Sequence, residues 1–196
     1  MIPAVKTEIK TGHERFLFDE RELPIDILSF WKWNCSELLG NALRGKLAEF
    51  IIASALDLLD KPREEWDFYD LETKRGLKIE VKSSSYLQSW EQEKLSKISF
   101  GIKPTGESQT LGAPKSRKSD VYIFCVLSHR EPETVNPIDL SQWNFYVLET
   151  SVLNEKLPTQ QTITLSSLLE LKPKQIRYNE IRKTIELLEE KIIQVE

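Results

Sequence analysis

Glu80 and Lys82 stand two residues apart in "GLKIEVKSSSY", residues 76–86, within an alternation whose other members are Leu77, Ile79 and Val81. Side chains at i and i+2 share one face of a strand. Lys78, Glu80, Lys82 and Ser84 therefore form a polar row backed by an apolar one. A Glu-x-Lys triplet alone says little, because the chain holds five, beginning at Glu8, Glu72, Glu80, Glu170 and Glu189. Only the Glu80 triplet lies in the middle of a clear strand pattern. The preceding segment "EEWDFYDLE", residues 64–72, reads as a second strand and brings a third group. If Tyr69 and Leu71 join Ile79 and Val81 on the core face, Asp70 falls with Glu80 and Lys82. A three-residue loop over 74–76 then sets Asp70 directly across from Glu80, with Cβ atoms about 5 Å apart. An even-numbered loop favours Asp67 instead.

Two carboxylates face to face repel unless positive charge lies between them. A divalent cation resolves the conflict. Asp70 and Glu80 offer hard oxygen ligands and the main-chain carbonyl of Val81 a third, a histidine-free set suited to Mg²⁺ or Mn²⁺ rather than zinc. Lys82 beside such a cation can orient a hydroxide attacking a phosphate and offset charge in the transition state. That is the chemistry of phosphodiester hydrolysis. Glu49 is a fourth candidate. Residues 47–56 are apolar nearly all round except Glu49 and Ser54, so the helix reads as buried, where a lone carboxylate is costly. Glu49 either reaches the same metal cluster, directly or through water, or pairs with Lys46 or Arg44. The bland alternative for the hairpin row is a solvated sheet face with incidental ion pairs.

The elements that must position these groups follow from periodicity. Residues 25–59 read as helical, with a break near 34–36 where Ser36 can cap the second piece. "ISFGI" is a short strand, and residues 103–119 form a long polar loop. "SDVYIFCVLSH" is a strand covered on both faces, "WNFYVLE" is another, and Thr150 or Ser151 can cap the short helix after it. "TITL" suggests a short extended piece and "SSLLEL" a turn of helix. From residue 173 to 196 a helix carries Tyr178, Ile181, Ile185, Leu188, Ile192 and Val195 at three- and four-residue steps. That seam must be buried, within the monomer or in a homodimer. The order of elements implies one α/β domain over 1–196, a mixed sheet flanked by helices.

A helix bearing Glu49, then Asp70, then Glu80 and Lys82 within a strand resembles the PD-(D/E)XK nuclease superfamily, the restriction-endonuclease-like fold. Tyr69 stands where that pattern has proline before the aspartate. More closely, "WDFYDLETKRGLKIEVKSSSYLQSW", "LSKISFGI", "SDVYIFCVLSHR" and "WNFYVLETSVL" resemble a group of bacterial hypothetical proteins, the similarity spanning residues 44–153. The superfamily resemblance implies a core sheet with the metal site at one edge, Glu49, Asp70, Glu80 and Lys82 as its catalytic residues. It implies Mg²⁺-dependent cleavage of nucleic acid, with DNA the expected target. The superfamily also has members that have lost catalysis. The alternative reading is thus a nuclease-fold module that binds nucleic acid or a protein partner without cutting.

Net charge is −4, so any polyanion site is a local patch on an acidic body. Residues 94–118 supply one: Lys94, Lys97, Lys103, Lys115, Arg117 and Lys118 against Glu107 alone. The patch follows the presumed metal strand and can neutralise phosphates; residues 172–183 carry a second. Tyr86, Gln88 and Trp90 follow the same strand. Gln88 is the polar candidate for a substrate contact, whereas Trp90 reads as core. Two histidines, His13 and His129, are too few for a histidine-rich metal site. Cys35 and Cys125 lie in apolar surroundings and read as buried thiols of a cytoplasmic protein. The longest apolar run, near residues 47–59, is broken by Glu49 and Asp57, which excludes a membrane span there.

Overall fold

The computed structural model describes residues 5–63, 68–104 and 116–193. Along the chain run β1 (Arg15–Phe18), β2 (Arg21–Asp26), α1 (Ile27–Cys35), α2 (Asn41–Ala55), β3 (Leu71–Glu72), β4 (Lys78–Ser85) and β5 (Ser99–Gly101). There follow β6 (Val121–Leu127), β7 (Trp143–Glu149), α3 (Thr150–Lys156), β8 (Thr162–Thr164), α4 (Leu165–Glu170), β9 (Lys174–Ile176) and α5 (Ile181–Ile193). Five strands form a mixed sheet in the order β3-β4-β6-β7-β9, in which only β4 and β6 run parallel. The class is α/β, as the order of elements implies. No helix among the described residues is long and apolar enough to cross a membrane.

β6 is an uninterrupted apolar run because both of its faces are covered. Val121, Ile123, Cys125 and Leu127 pack against Ala48, Ile51 and Ile52 of α2 and Ile181 and Ile185 of α5. Tyr122, Phe124 and Val126 face Phe100 of β5, Ile163 of β8, Leu153 of α3 and Leu168 of α4. The Cys125 thiol, wholly buried, has its pKa pushed up by that burial. Asp120 fixes the parallel register: its N–H donates to the Lys78 carbonyl and its carboxylate accepts from the Lys78 N–H, both at 2.8 Å. Trp143 is fully buried, stacked on Phe145 with centroids 6.4 Å apart, and its Nε1 donates to the Pro137 carbonyl at 2.9 Å. Trp143→Ala is expected to cost about 3–5 kcal/mol, read as a lower urea midpoint at unchanged slope.

Several elements differ from the sequence reading, each for a local reason. The first strand of the hairpin shrinks to Leu71–Glu72, since residues 68–70 form a bend; 64–67, with Asp67, lie outside the described residues. The C-terminal helix begins at Ile181, not 173. Residues 174–176 instead pair antiparallel with β7, placing Ile176 in the core opposite Phe145. The seam is spent within the chain, with Ile181 and Ile185 buried in the core and Leu188, Ile192 and Tyr178 packed against it; Val195 lies outside the described residues. Ser36 does not cap α2. Its hydroxyl bonds back to the Lys32 carbonyl, and α2 starts after Gly40. Neither Thr150 nor Ser151 caps α3, whose N-cap is Glu149. Ahead of α1 the β1–β2 hairpin appears where no strand was expected, turning through Asp19 and Glu20 at φ 47° and 64°.

Candidate active site

β3 and β4 meet in the register that a three-residue loop sets. Leu71 lies opposite Ile79 and Glu72 opposite Lys78. The Thr73 N–H donates to the Leu77 carbonyl at 3.0 Å, so residues 74–76 make the connection and Asp70 comes level with Glu80. Gly76 closes the turn at φ +93°, a conformation that side chains resist. Glu80 and Lys82 alternate with the core residues Ile79 and Val81 and so lie on the face of Tyr122 and Phe124, their register partners in β6.

Asp70 departs from the expected geometry in one respect. Its side chain does not stand on a strand face; Oδ2 accepts from the Val81 N–H at 2.7 Å, while its own N–H donates to the Ile79 carbonyl at 3.1 Å. The carboxylate thus takes the ladder position that a β3 carbonyl would otherwise fill. Among the described residues the pairing of β3 with β4 goes no further. The N–H and C=O of one strand residue point to the same edge, so the Val81 carbonyl faces the Asp70 side as well.

Glu80 is half-buried, and its Oε1 accepts from Lys82 Nζ. Burial raises its pKa above the ordinary 4.5; Lys82 opposes that shift, while the negative charges of Asp70 and Glu49 add to it. Glu80 also helps burial push the neighbouring Tyr122 hydroxyl up to about 12. Glu49 pairs with neither Lys46 nor Arg44 in the way expected. Arg63 donates to both of its oxygens, Nη2 to Oε1 at 3.2 Å and Nε to Oε2. Nothing in sequence announces Arg63, which lies 14 residues on, past the end of α2. α2 is also less enclosed than its composition suggests, since Phe50 is 54% exposed. Arg44, by contrast, is buried and bonds the Ser83 hydroxyl, the Leu39 carbonyl and Asn41 Oδ1.

Asp70, Glu80 and Glu49 bear on one another electrostatically near one strand, and with the Val81 carbonyl they are oxygen donors of the type that hard cations take. As the side chains stand, no group of three or more His, Cys, Asp or Glu among the described residues is arranged to hold a metal ion. Glu80 is turned to Lys82 and Glu49 to Arg63. Gathering the set on a cation requires both to exchange those cationic partners for it. The raised Glu80 pKa has a consequence in metal-free buffer. The folded protein holds this proton more tightly than the unfolded chain, so stability falls as pH rises from about 4.5 through the folded value. Thermal melts with EDTA from pH 4.5 to 7.5 should show the wild type losing stability relative to Glu80→Gln, which lacks that proton.

The basic segment divides. Lys94, Lys97 and Lys103 are exposed and Lys118 is half-buried, while Lys115 lies outside the described residues. Arg117 is a correction: it is 7% exposed, and its guanidinium donates to the carbonyls of Ile102 and Leu157 and to Asn154 Oδ1 at 2.8–2.9 Å. It ties β5 to the segment after α3 rather than facing solvent. Gln88 is half-buried in a side-chain network, its Nε2 donating to the Ser85 carbonyl at 3.1 Å and the Ser96 hydroxyl at 3.2 Å. Trp90, which read as core, is 55% exposed. Tyr86 has the Arg130 guanidinium 4.4 Å from its ring centroid.

A comparison with curated proteins finds no match. The family model described as bacteriophage T4 endonuclease IV matches residues 27–167, well over half of the chain, and the matched span contains Glu49, Asp70, Glu80 and Lys82. With this span matched, the chain belongs to the bacteriophage T4 endonuclease IV family, a nuclease-type family.

Proposed function

We propose that the protein is a metal-dependent endonuclease that hydrolyses phosphodiester bonds in DNA, with Asp70, Glu80, Lys82 and Glu49 as its site. The observation that carries this reading is that Asp70, bonded to the Val81 N–H, comes level with Glu80 beside Lys82 in a member of an endonuclease family. The same four positions support a place in the PD-(D/E)XK superfamily. Asp70, Glu80 and the Val81 carbonyl would hold Mg²⁺ or Mn²⁺, with Glu49 reaching it directly or through water. Such a cation supplies Lewis-acid polarisation of the phosphoryl group and a more acidic water. Asp70 is held in place by the Val81 N–H, which fixes its direction before substrate arrives. Lys82, once released from Glu80, orients the attacking water and balances charge growing on the phosphoryl oxygens. Lys94, Lys97 and Lys103 neutralise backbone phosphates further along the strand.

Incubation of the purified protein with plasmid and linear DNA in Mg²⁺ or Mn²⁺ should yield cleavage that EDTA abolishes. Intact DNA under all these conditions would refute the proposal. The ion pairs of Glu80 with Lys82 and of Glu49 with Arg63 favour a second reading, a nuclease fold that binds nucleic acid without cutting. Calorimetric titration with Mn²⁺ separates the two, because only the first requires metal uptake.

A further inference from the structure

A cavity of about 430 Å³ opens beside Glu49 and Asp70, which form part of its wall. Its volume is in the range of small-ligand sites and holds one nucleoside unit with room to spare. The remaining wall is chiefly apolar and aromatic, including Trp31, Phe50, Leu59 and Tyr69. Two of these rings are sequence neighbours of the acids. Phe50 follows Glu49 on α2, and Tyr69 precedes Asp70 at the bend before β3. The rings and the proposed catalytic carboxylates therefore line the same cavity.

Two of the rings have neighbours that hold them in place. Gly12, at φ +93°, brings the backbone so near Trp31 that a Cβ there would lie 3.0 Å from the ring atom Cζ3. Tyr69 has Lys78 Nζ 5.6 Å from its ring centroid and donates from its hydroxyl to Glu72 at 2.5 Å. Phe50, more than half exposed, presents a ring that the core of the chain does not use. Lys10, Lys46, Lys61 and Arg63, with Glu8 and Glu72, add charged groups at the wall. Aromatic rings among charged groups of both signs, in a cavity that the proposed catalytic carboxylates also line, suit a flat heteroaromatic ring with polar edges.

We infer that this cavity receives one nucleobase of the bound strand, swung out of its stack next to the phosphate to be cut. The inference rests on the nuclease reading for the role of the adjoining carboxylates, but the occupant can be tested without cleavage. In EDTA, the affinity of an oligodeoxynucleotide is compared with that of a deoxyribose-phosphate oligomer of equal length that lacks bases. Wild type is expected to bind the base-bearing strand at least about 10-fold more tightly. Phe50→Ala and Trp31→Ala should each cut that preference several-fold, leaving affinity for the baseless strand unchanged. Equal binding of the two strands, or a preference that survives both substitutions, overturns the inference. Phe50 is exposed enough that its truncation spares the fold, which a thermal melt checks. Cleavage of plasmid by a wild type with no base preference sinks the pocket and spares the nuclease. Base preference without cleavage does the reverse.

Discussion

Asp70→Asn is expected to lower DNA cleavage by at least about 100-fold with the thermal midpoint nearly unchanged. The separation of activity from stability follows from the bond that Asp70 makes. Its Oδ2 accepts from the Val81 N–H at 2.7 Å, and the Asn carbonyl can accept the same bond. What is lost is the charge, and with it the proposed anionic metal ligand next to Glu80. Calorimetry should show Mn²⁺ affinity falling together with rate. Lys82→Gln is expected to produce a similar loss of rate by a different route, since the amide retains a donor toward Glu80 but no longer offsets negative charge. Because residues acting on one reaction centre are not additive, the double variant should be little worse than either single one. Wild-type rates in Asp70→Asn would mean that the edge of β4 is not where the chemistry occurs.

Arg117→Ala should instead destabilise the fold, by about 3 kcal/mol or roughly 10 °C in Tm, through carbonyls left without donors. The guanidinium serves Ile102, Asn154 and Leu157 within 2.9 Å, and a longer 3.4 Å bond reaches the Gln160 carbonyl. Removal exposes these buried acceptors to one another and loosens β5 from β8. Burial also holds the Arg117 pKa below its ordinary value, yet the group stays charged at any workable pH. DNA affinity measured below the melting range should be unaltered. Lys94→Ala and Lys103→Ala should do the opposite, sparing Tm and weakening DNA binding in a salt-dependent way. An Arg117 variant with an unchanged melt and weaker DNA binding would return this residue to the phosphate-binding surface.

The contrast between Arg117 and its lysine neighbours shows what a local pattern cannot convey. In sequence all belong to one basic run, and charge alone suggests one role. Which of them is buried depends on whether carbonyls from residues 37 to 40 positions later arrive within reach. Glu49 makes the same point. Its partner is neither of the basic residues one helical turn away but Arg63, delivered by the chain's return past α2. The strand at 174–176 looked helical because Pro173 and the following polar residues carry no strong period, and only the free edge of β7 decides its conformation.

The amino-acid sequence on its own determined the doubly covered β6, the sheet-flanked-by-helices class, and the polar row of Glu80 and Lys82, and it narrowed the hairpin to two registers, one of which sets Asp70 level with Glu80. All of these are written in steps of two or in turn residues such as Gly76, within reach of a few neighbours. Tertiary structure alone decided that Asp70 turns its carboxylate to the Val81 N–H, in the place of a strand carbonyl. It decided too that Glu49 comes close enough to raise the Glu80 pKa, and that aromatic rings from α1, α2 and the bend before β3 wall one cavity. Side-chain alternation is a property of a strand by itself. The distance between groups on separate elements is set by how those elements pack, and no periodicity records it.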